Sequence, residues 1–211
     1  MKISLINAGK RFNRDWIFRN VNQEFISGTA YAITGPNGSG KSTLLQAIGG
    51  AIMMSEGKAQ YAVGDQLKEI EVDNAFRYIS IAAPYLELIE EMTLLEMLEF
   101  HAQFKPLISH TNIPDIISII GLKAAANKQI RFYSSGMKQR VKLAQAIFSD
   151  VPCVLLDEPC TNLDAVGIEL YHQLIRDYGN NRLIIVSSND PQEYSFCKEM
   201  LSITDYKRVR V

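Results

Sequence analysis

Residues 35–43 read Gly35-Pro36-Asn37-Gly38-Ser39-Gly40-Lys41-Ser42-Thr43. This stretch carries the complete G-x-x-x-x-G-K-[ST] pattern of a phosphate-binding loop. Its glycines let the backbone curl so that successive N–H groups point at phosphate oxygens. Lys41 adds a positive charge that can reach β- and γ-phosphates, and the Ser42 hydroxyl can bind Mg²⁺. The whole stretch is therefore predicted to bind a magnesium-complexed nucleotide.

The residues on both sides of this loop support the same prediction. Residues 29–34 form a short, mostly apolar run that is typical of a buried strand. Residues 43–48 have the pattern of a helix, whose positive N-terminal end would lie under the phosphates. A strand, a loop and a helix in this order distinguish a phosphate-binding loop from a glycine-rich turn without a function.

Composition and charge narrow the class of protein. The chain has 211 residues and a formal net charge of −1, which gives no electrostatic reason to expect a nucleic acid as a partner. It contains no apolar run long enough to span a bilayer and no signal-peptide pattern near Met1. The cysteines Cys153, Cys160 and Cys197 lack the spacing of a metal site, and a reducing cytosol suits them best.

The order of apolar patterns predicts an α/β core interrupted by helices. We expect the core at about 1–89 and 150–211 and a helical insertion at about 90–149. Turns are expected near Gly57 and Gly64. Predicted strands cover residues 3–12, 17–25, 59–63, 68–72, 77–82, 154–156 and 183–186, and predicted helices cover 94–104, 113–120, the stretch from after Ser135 to Phe148, and 167–178.

A second motif, Val154-Leu155-Leu156-Asp157-Glu158-Pro159, places two acids directly after an apolar strand. Strand ends of this kind meet ligands at the edge of an α/β sheet. Asp157 would hold the Mg²⁺ shell, and Glu158 would polarise a water molecule for attack on the γ-phosphate. The alternative is an acidic strand end that merely precedes the turn at Pro159.

Two further segments make the chain resemble the ATP-binding subunits of ABC transporters over nearly its whole length. Residues 133–140, Tyr-Ser-Ser-Gly-Met-Lys-Gln-Arg, are similar to that family's signature sequence, and residues 159–164 are similar to its D-loop. The resemblance implies a P-loop NTPase core, an N-terminal antiparallel β subdomain and an inserted helical signature subdomain. It also implies that ATP is bound between two such subunits, with Ser134, Ser135, Gly136 and Asp164 as nucleotide-binding residues.

The signature residues also permit a purely local interpretation. Ser134 supplies a hydroxyl and Gly136 allows close backbone approach, both at a helix start that favours an anion. A serine at a helix start is, however, equally suited to capping that helix. For the adenine ring, the resemblance points to stacking on Phe12, with Trp16 as the second choice; Phe12 could instead be an ordinary core or surface aromatic residue.

Two departures from the family concern hydrolysis. The Q-loop glutamine should follow the strand at 77–82, where the chain has Ala83-Pro84, and the switch histidine is replaced by Asn189. Asparagine can donate a hydrogen bond to a phosphate oxygen but carries no charge near neutral pH. Alternatively, Asn189 only closes a turn with Asp190 and Pro191. With Glu158 retained, we expect an ATPase that is slow or strongly dependent on a partner. The alternatives are a regulatory nucleotide-binding module with little turnover and a soluble ABC-type ATPase outside transport.

The family resemblance also implies the partners. These are a second ATPase subunit, identical or different, and an integral-membrane permease that would hold the chain at the inner, cytoplasmic face of the cell membrane. Residues 85–92 combine large apolar side chains with Glu87, Glu90 and Glu91. They could dock a basic helix of the permease, or they could form a solvated acidic turn before a helix.

Overall fold

A computed structural model describes residues 1–207, which form two compact units. The first unit comprises Met1–Ile79, Pro152–Asp157 and the described residues from 181 on. The second unit comprises Ser80–Val151 and Glu158–Asn180. The predicted core also includes residues 208–211, which lie outside the described part of the chain.

The first unit contains an antiparallel sheet with the order β2-β1-β4-β5. Its strands are β1 (Lys2–Phe12), β2 (Asp15–Ile26), β4 (Glu56–Val63) and β5 (Lys68–Ile70). Ile3 and Leu5 alternate with polar residues and are buried, so one face of the sheet is packed. The predicted turn near Gly57 is wrong, because Gly57 lies within β4. Its φ is 70°, and a Cβ there would come within 2.2 Å of the Asn7 carbonyl oxygen, so a glycine is required.

Parallel strands form the other sheet of the first unit, in the order β7-β8-β3-β9. They are β3 (Ala30–Thr34), β7 (Cys153–Asp157), β8 (Leu183–Ser187) and β9 (Glu199–Ser202), and helix α1 (Lys41–Ile48) follows β3. Every residue of β7 and β8 is buried, as expected for strands covered on both faces. Because the strands are parallel, their carboxyl ends meet at one edge, where the loops after β3, β7 and β8 begin.

The chain passes from the first unit to the second through β6 (Ile79–Ala82). The strand was predicted at 77–82, but the observed strand begins two residues later, at Ile79, because Val72–Tyr78 is a 3₁₀ helix. Strand β9 and the short helix α6 (Pro191–Tyr194) were not predicted from the sequence.

Helices dominate the second unit, and all the predicted ones are present. They are α2 (Leu94–Phe104), α3 (Ile113–Ile119), α4 (Ser135–Ile147) and α5 (Ala165–Tyr178). Thr93 caps α2 in a capping box with Glu96, and Asn112 caps α3. Throughout residues 1–207, no helix is both long and apolar enough to cross a bilayer.

Candidate functional site

The loop between β3 and α1 has a backbone that its glycines make possible. Gly35, Gly38 and Gly40 have φ values of 145°, 71° and 102°, a region that side chains other than glycine rarely adopt. A Cβ on Gly40 would lie 2.2 Å from Cγ2 of Ile17, and one on Gly35 would lie 3.0 Å from Oγ of Ser39. Glycine is therefore needed at Gly35 and Gly40 for conformation and for space.

Lys41 is held by the loop that it follows. Its side chain is 4% exposed, and Nζ donates to the carbonyl oxygens of Gly35 and Pro36 at 2.9 and 3.3 Å. No side chain caps α1, and the first N–H groups of an α-helix have no acceptor within the helix. The loop thus presents a fixed ammonium and free N–H groups together, which is the chemistry of a phosphate site.

Two buried hydroxyls near these elements have no hydrogen-bond partner among the described residues. They are Oγ of Ser39, in the loop, and Oγ of Ser187, the last residue of β8. Asp157, which is 1% exposed, pairs with Ser187 in the register of β7 and β8. Buried hydroxyls without a partner are costly, and phosphate oxygens or bound water would satisfy them. The residues present therefore fit a nucleotide.

Mg²⁺ fits the same strand ends. It is usually held by one or two carboxylates together with phosphate oxygens and water, and Asp157 and the Ser42 hydroxyl are ligands of the required kind. A cluster of three or more His, Cys, Asp or Glu side chains is absent from residues 1–207. Such a cluster is not required for a Mg²⁺ site whose remaining ligands are nucleotide phosphates and water.

Asn189 follows β8 at the edge where β3 also ends. The N–H of Ser188 donates to the Ile33 carbonyl oxygen at 3.1 Å, which ties this turn to β3 one residue before Thr34. The N–H of Asp190 donates to Ser188 Oγ at 2.9 Å, and Asp190 in turn caps α6. The neighbours of Asn189 therefore close the turn, and its exposed amide is not needed for that purpose.

The two candidate aromatic residues differ in accessibility. Phe12, at the end of β1, is 51% exposed, with Lys10 Nζ 5.0 Å from its ring centre. Trp16 is half-buried, and the guanidinium of Arg19 lies 4.5 Å from its ring centre. Phe12 is thus not a core residue. Ile17, in the same hairpin, lies against Gly40 of the loop, so the hairpin that carries Phe12 contacts the loop.

The signature segment lies in the second unit, at the start of α4. Ser134 caps this helix, with Oγ accepting from the Met137 N–H at 3.2 Å, so the capping interpretation is correct for the chain alone. A Cβ on Gly136 would lie 2.9 Å from the Asn162 carbonyl oxygen. Signature and D-loop therefore pack closely around a cleft of about 460 Å³, which is lined by residues including Ser134, Ser135, Gly136, Met137, Asn162, Leu163 and Asp164.

Asp164 has a structural role of its own. Its Oδ1 accepts from the Gly167 N–H at 2.8 Å as the N-cap of α5, and Arg140 approaches the same oxygen at 3.4 Å. Glu158, directly after β7, adopts a left-handed backbone with φ 43°, which is uncommon for a residue other than glycine. Strain of this kind is often kept at functional positions.

Two functional candidates were missed by sequence reasoning, and both are on α4. Gln139 is 3% exposed and donates through Nε2 to the Pro159 carbonyl oxygen at 2.8 Å, which holds the turn after Glu158. Lys142 donates to the carbonyl oxygens of Ala83 and Pro84. Gln139 lies four residues before the apolar Leu143, and this helical spacing was the available signal that it is buried.

Known proteins with similar sequences indicate the same kind of site as the geometry does. The profile of the ABC transporter family matches residues 18–161. An uncharacterized ABC transporter ATP-binding protein of Bacillus subtilis, YybJ, is 31% identical over 193 residues, which cover 90% of this chain and 87% of YybJ. The chain belongs to the ABC transporter family, as an ATP-binding protein. Another relative of this ABC ATPase is the cytochrome c biogenesis ATP-binding export protein CcmA of Agrobacterium fabrum, 27% identical, with 90% of each chain covered.

Solved structures show the fold of the ABC ATPase. A putative ABC transporter ATP-binding protein from Pyrococcus furiosus matches 99% of this chain and 100% of its own with a TM-score of 0.82 at 17% identity. A bacterial ABC transporter cassette solved as a dimer matches 95% of this chain and 94% of its own with a TM-score of 0.79 at 25% identity. The predicted α/β class and the family resemblance are both confirmed.

Proposed function

We propose that this ABC ATPase binds MgATP and hydrolyses it within an ATP-bridged dimer that drives a membrane-embedded partner. The observation that carries the proposal is the loop before α1. The loop contains Lys41, free helical N–H groups and the buried Ser39 hydroxyl. Asp157, the last residue of β7, pairs with Ser187, the last residue of β8. Few ligands other than a polyphosphate match this set of groups.

Each group in the site has a distinct role in this proposal. Residues 35–43 bind the phosphates, and Ser42 and Asp157 hold Mg²⁺, which would neutralise charge that develops on the β- and γ-phosphates. Glu158 accepts the proton of the attacking water. Asn189 donates a neutral hydrogen bond to a γ-phosphate oxygen. Phe12 offers its exposed ring to adenine.

The accessible signature cleft supports the proposed dimer. Ser134, Ser135 and Asp164 are exposed, and Gly136 is half-exposed, at a helix start that can receive an anion from another subunit. A dimeric cassette structure and its post-hydrolysis state with ADP and Pi are among the structural neighbours, which supports the arrangement. Relatives named as transport ATP-binding proteins, such as SrtF of Streptococcus pyogenes, support a permease partner and a location at the inner face of the membrane.

One observation favours a second candidate function. Ala83 is fully buried, and its methyl group cannot replace the amide of a Q-loop glutamine, while Asn189 cannot act as an imidazole would. A regulatory module that binds MgATP with little turnover would have this combination. The two candidates share the nucleotide site and differ only in turnover.

Two assays on three proteins test the proposal. Fluorescent MgATP titration should give saturable binding for the wild type and for Glu158→Gln. For Lys41→Ala, which loses the cation of the motif at 35–43, the affinity should fall about a hundredfold or more. Phosphate release should be measurable for the wild type and absent for Glu158→Gln. Wild-type affinity in a folded Lys41→Ala variant would refute the site. If the wild type and Glu158→Gln bind MgATP but all three proteins release phosphate only at the background rate, the result would favour the regulatory module.

A further inference from the structure

Two lysines on α4 face the segment that replaces the Q-loop. Lys138 and Lys142 are four residues apart and therefore lie on the same side of the helix. Nζ of Lys142 donates to the carbonyl oxygens of Ala83 at 3.3 Å and Pro84 at 2.9 Å. Lys138 forms an ion pair with Glu90. We call these two lysines and their three partners the α4 clamp.

In the clamp, the Lys142 ammonium group binds two backbone oxygens, as the Lys41 ammonium does in the loop before α1. Partial burial lowers the pKa of Lys142, repulsion from Lys138 lowers it further, and the charge of Glu87 raises it. Such a site is retained only if the hydrogen bonds offset the loss of water around the charge. Lysine suits two adjacent carbonyls because its compact ammonium carries three donors.

The segment itself has little internal structure. Within residues 83–92, backbone bonds run from the Leu86 N–H to Ala83 and from the Met92 N–H to Ile89, and Pro84 has no N–H to donate. Its apolar side chains Tyr85 and Leu86 are exposed. Its C-terminal end is also tied to the residues before α4, because the N–H groups of Ile130 and Arg131 donate to the carbonyl oxygens of Met92 and Glu90. At its N-terminal end, α4 contacts the segment through Lys142.

We propose that Lys142 is a positioning residue that makes the segment 83–91 move together with α4. This inference rests on the proposed function, in which Ser134 at the start of α4 meets nucleotide of the facing subunit, and on the sequence prediction that the membrane partner contacts 85–92. Any displacement of the segment would then be carried along α4 to the signature, without a Q-loop glutamine. The clamp also gives Glu90 a partner within the chain, because its carboxylate pairs with the Lys138 ammonium.

Hydrogen exchange measured by mass spectrometry on the full chain tests the clamp directly. Lys142→Met should raise amide exchange about tenfold or more in peptides that contain Leu86, because the Leu86 N–H donates to the Ala83 carbonyl oxygen that Lys142 also holds. Lys142→Arg should restore protection to within about threefold of the wild type, because its guanidinium can donate to the same oxygens. Lys123→Met is the matched control: it removes an exposed lysine of the same unit that makes none of these contacts.

The outcomes separate the clamp from general destabilisation and from the proposed function. Unchanged exchange in Lys142→Met, or exchange raised equally in α2 and α5, would overturn the inference. In a Glu158→Gln background, MgATP should protect both 134–138 and 85–91, and Lys142→Met should abolish only the second response. If MgATP does not change hydrogen exchange in the Glu158→Gln protein that keeps Lys142, the proposed function is contradicted. The comparison of Lys142→Met with the wild type in the absence of nucleotide still tests the clamp.

Discussion

Asn189 is the residue at which this chain departs most clearly from its family resemblance. Ser188 and Asp190 form the turn around it, so the amide is free to serve a ligand. Its position after β8, beside the end of β3, brings it near the loop that begins at Gly35. An amide there would stabilise the γ-phosphate by a neutral hydrogen bond, and the contact would not change with pH near neutrality.

Two substitutions at this position test the role. Asn189→Ala should lower steady-state turnover about tenfold or more, because a positioned polar group is lost in the transition state. Asn189→His should keep or raise turnover and introduce a pH dependence near a pKa of about 6.5. The measurement is phosphate release from mildly acidic to mildly basic pH. Equal rates with flat profiles in all three proteins would mean that residue 189 is structural.

At the residue level, the sequence was sufficient where the chemistry is local. The loop at 35–43 could be identified because its conformation and its ligand groups belong to consecutive residues. Lys142 and Gln139 could not be assigned, since their partners lie 59 and 20 residues away. The pairing of Ser187 with Asp157 depends on strand order, which the sequence did not provide. The roles of all the candidate site residues toward a nucleotide or Mg²⁺ remain predictions.

Helices were predicted better than the connections between them. Their starts carry local caps, such as Thr93 for α2 and Ser134 for α4, so the capping residue and the apolar spacing agree. The 3₁₀ helix Val72–Tyr78 and strand β9 have no such signal. Their conformations depend on packing against residues distant in sequence, as shown by β9 pairing with β3.

One contact between helical elements should respond to pH. Nε2 of His101 on α2 lies 2.8 Å from Oγ of Ser149, just after α4. Burial lowers the pKa of His101, and the charge of Lys105 lowers it further. The unfolded chain therefore binds this proton more readily than the folded chain. The stabilising contribution is complete above about pH 6.5 and is lost as the pH falls below that value.

A glutamine substitution isolates this effect. His101→Gln keeps an N–H donor for Ser149 but cannot take up a proton, so the melting temperature should fall less between pH 7.5 and 5 than it does in the wild type. His110→Asn is the matched control, since it removes an exposed histidine and asparagine tolerates its positive φ. Identical pH slopes for the wild type and His101→Gln would contradict the assignment.

For the whole molecule, internal ion pairs change the expected docking chemistry. Glu90 pairs with Lys138, and Arg131 lies 3.7 Å from Glu91. These acids are therefore engaged within the chain, which weakens the prediction that they bind a basic helix of a permease. The side chains of Tyr85, Leu86 and Ile89 are apolar and exposed, which suits contact with a partner. The division of the chain at residues 90 and 149 remains a proposal.

The molecular mass of Glu158→Gln in solution tests the central claim most directly. Without hydrolysis, MgATP should remain bound between two chains, because ligand that binds only the dimer stabilises it by mass action. Light scattering after gel filtration in saturating MgATP should give twice the 23.7 kDa of one chain. In EDTA, and in a Lys41→Ala/Glu158→Gln variant, the mass should stay at that of one chain. A single-chain mass for Glu158→Gln with its nucleotide site saturated would contradict the ATP-bridged dimer.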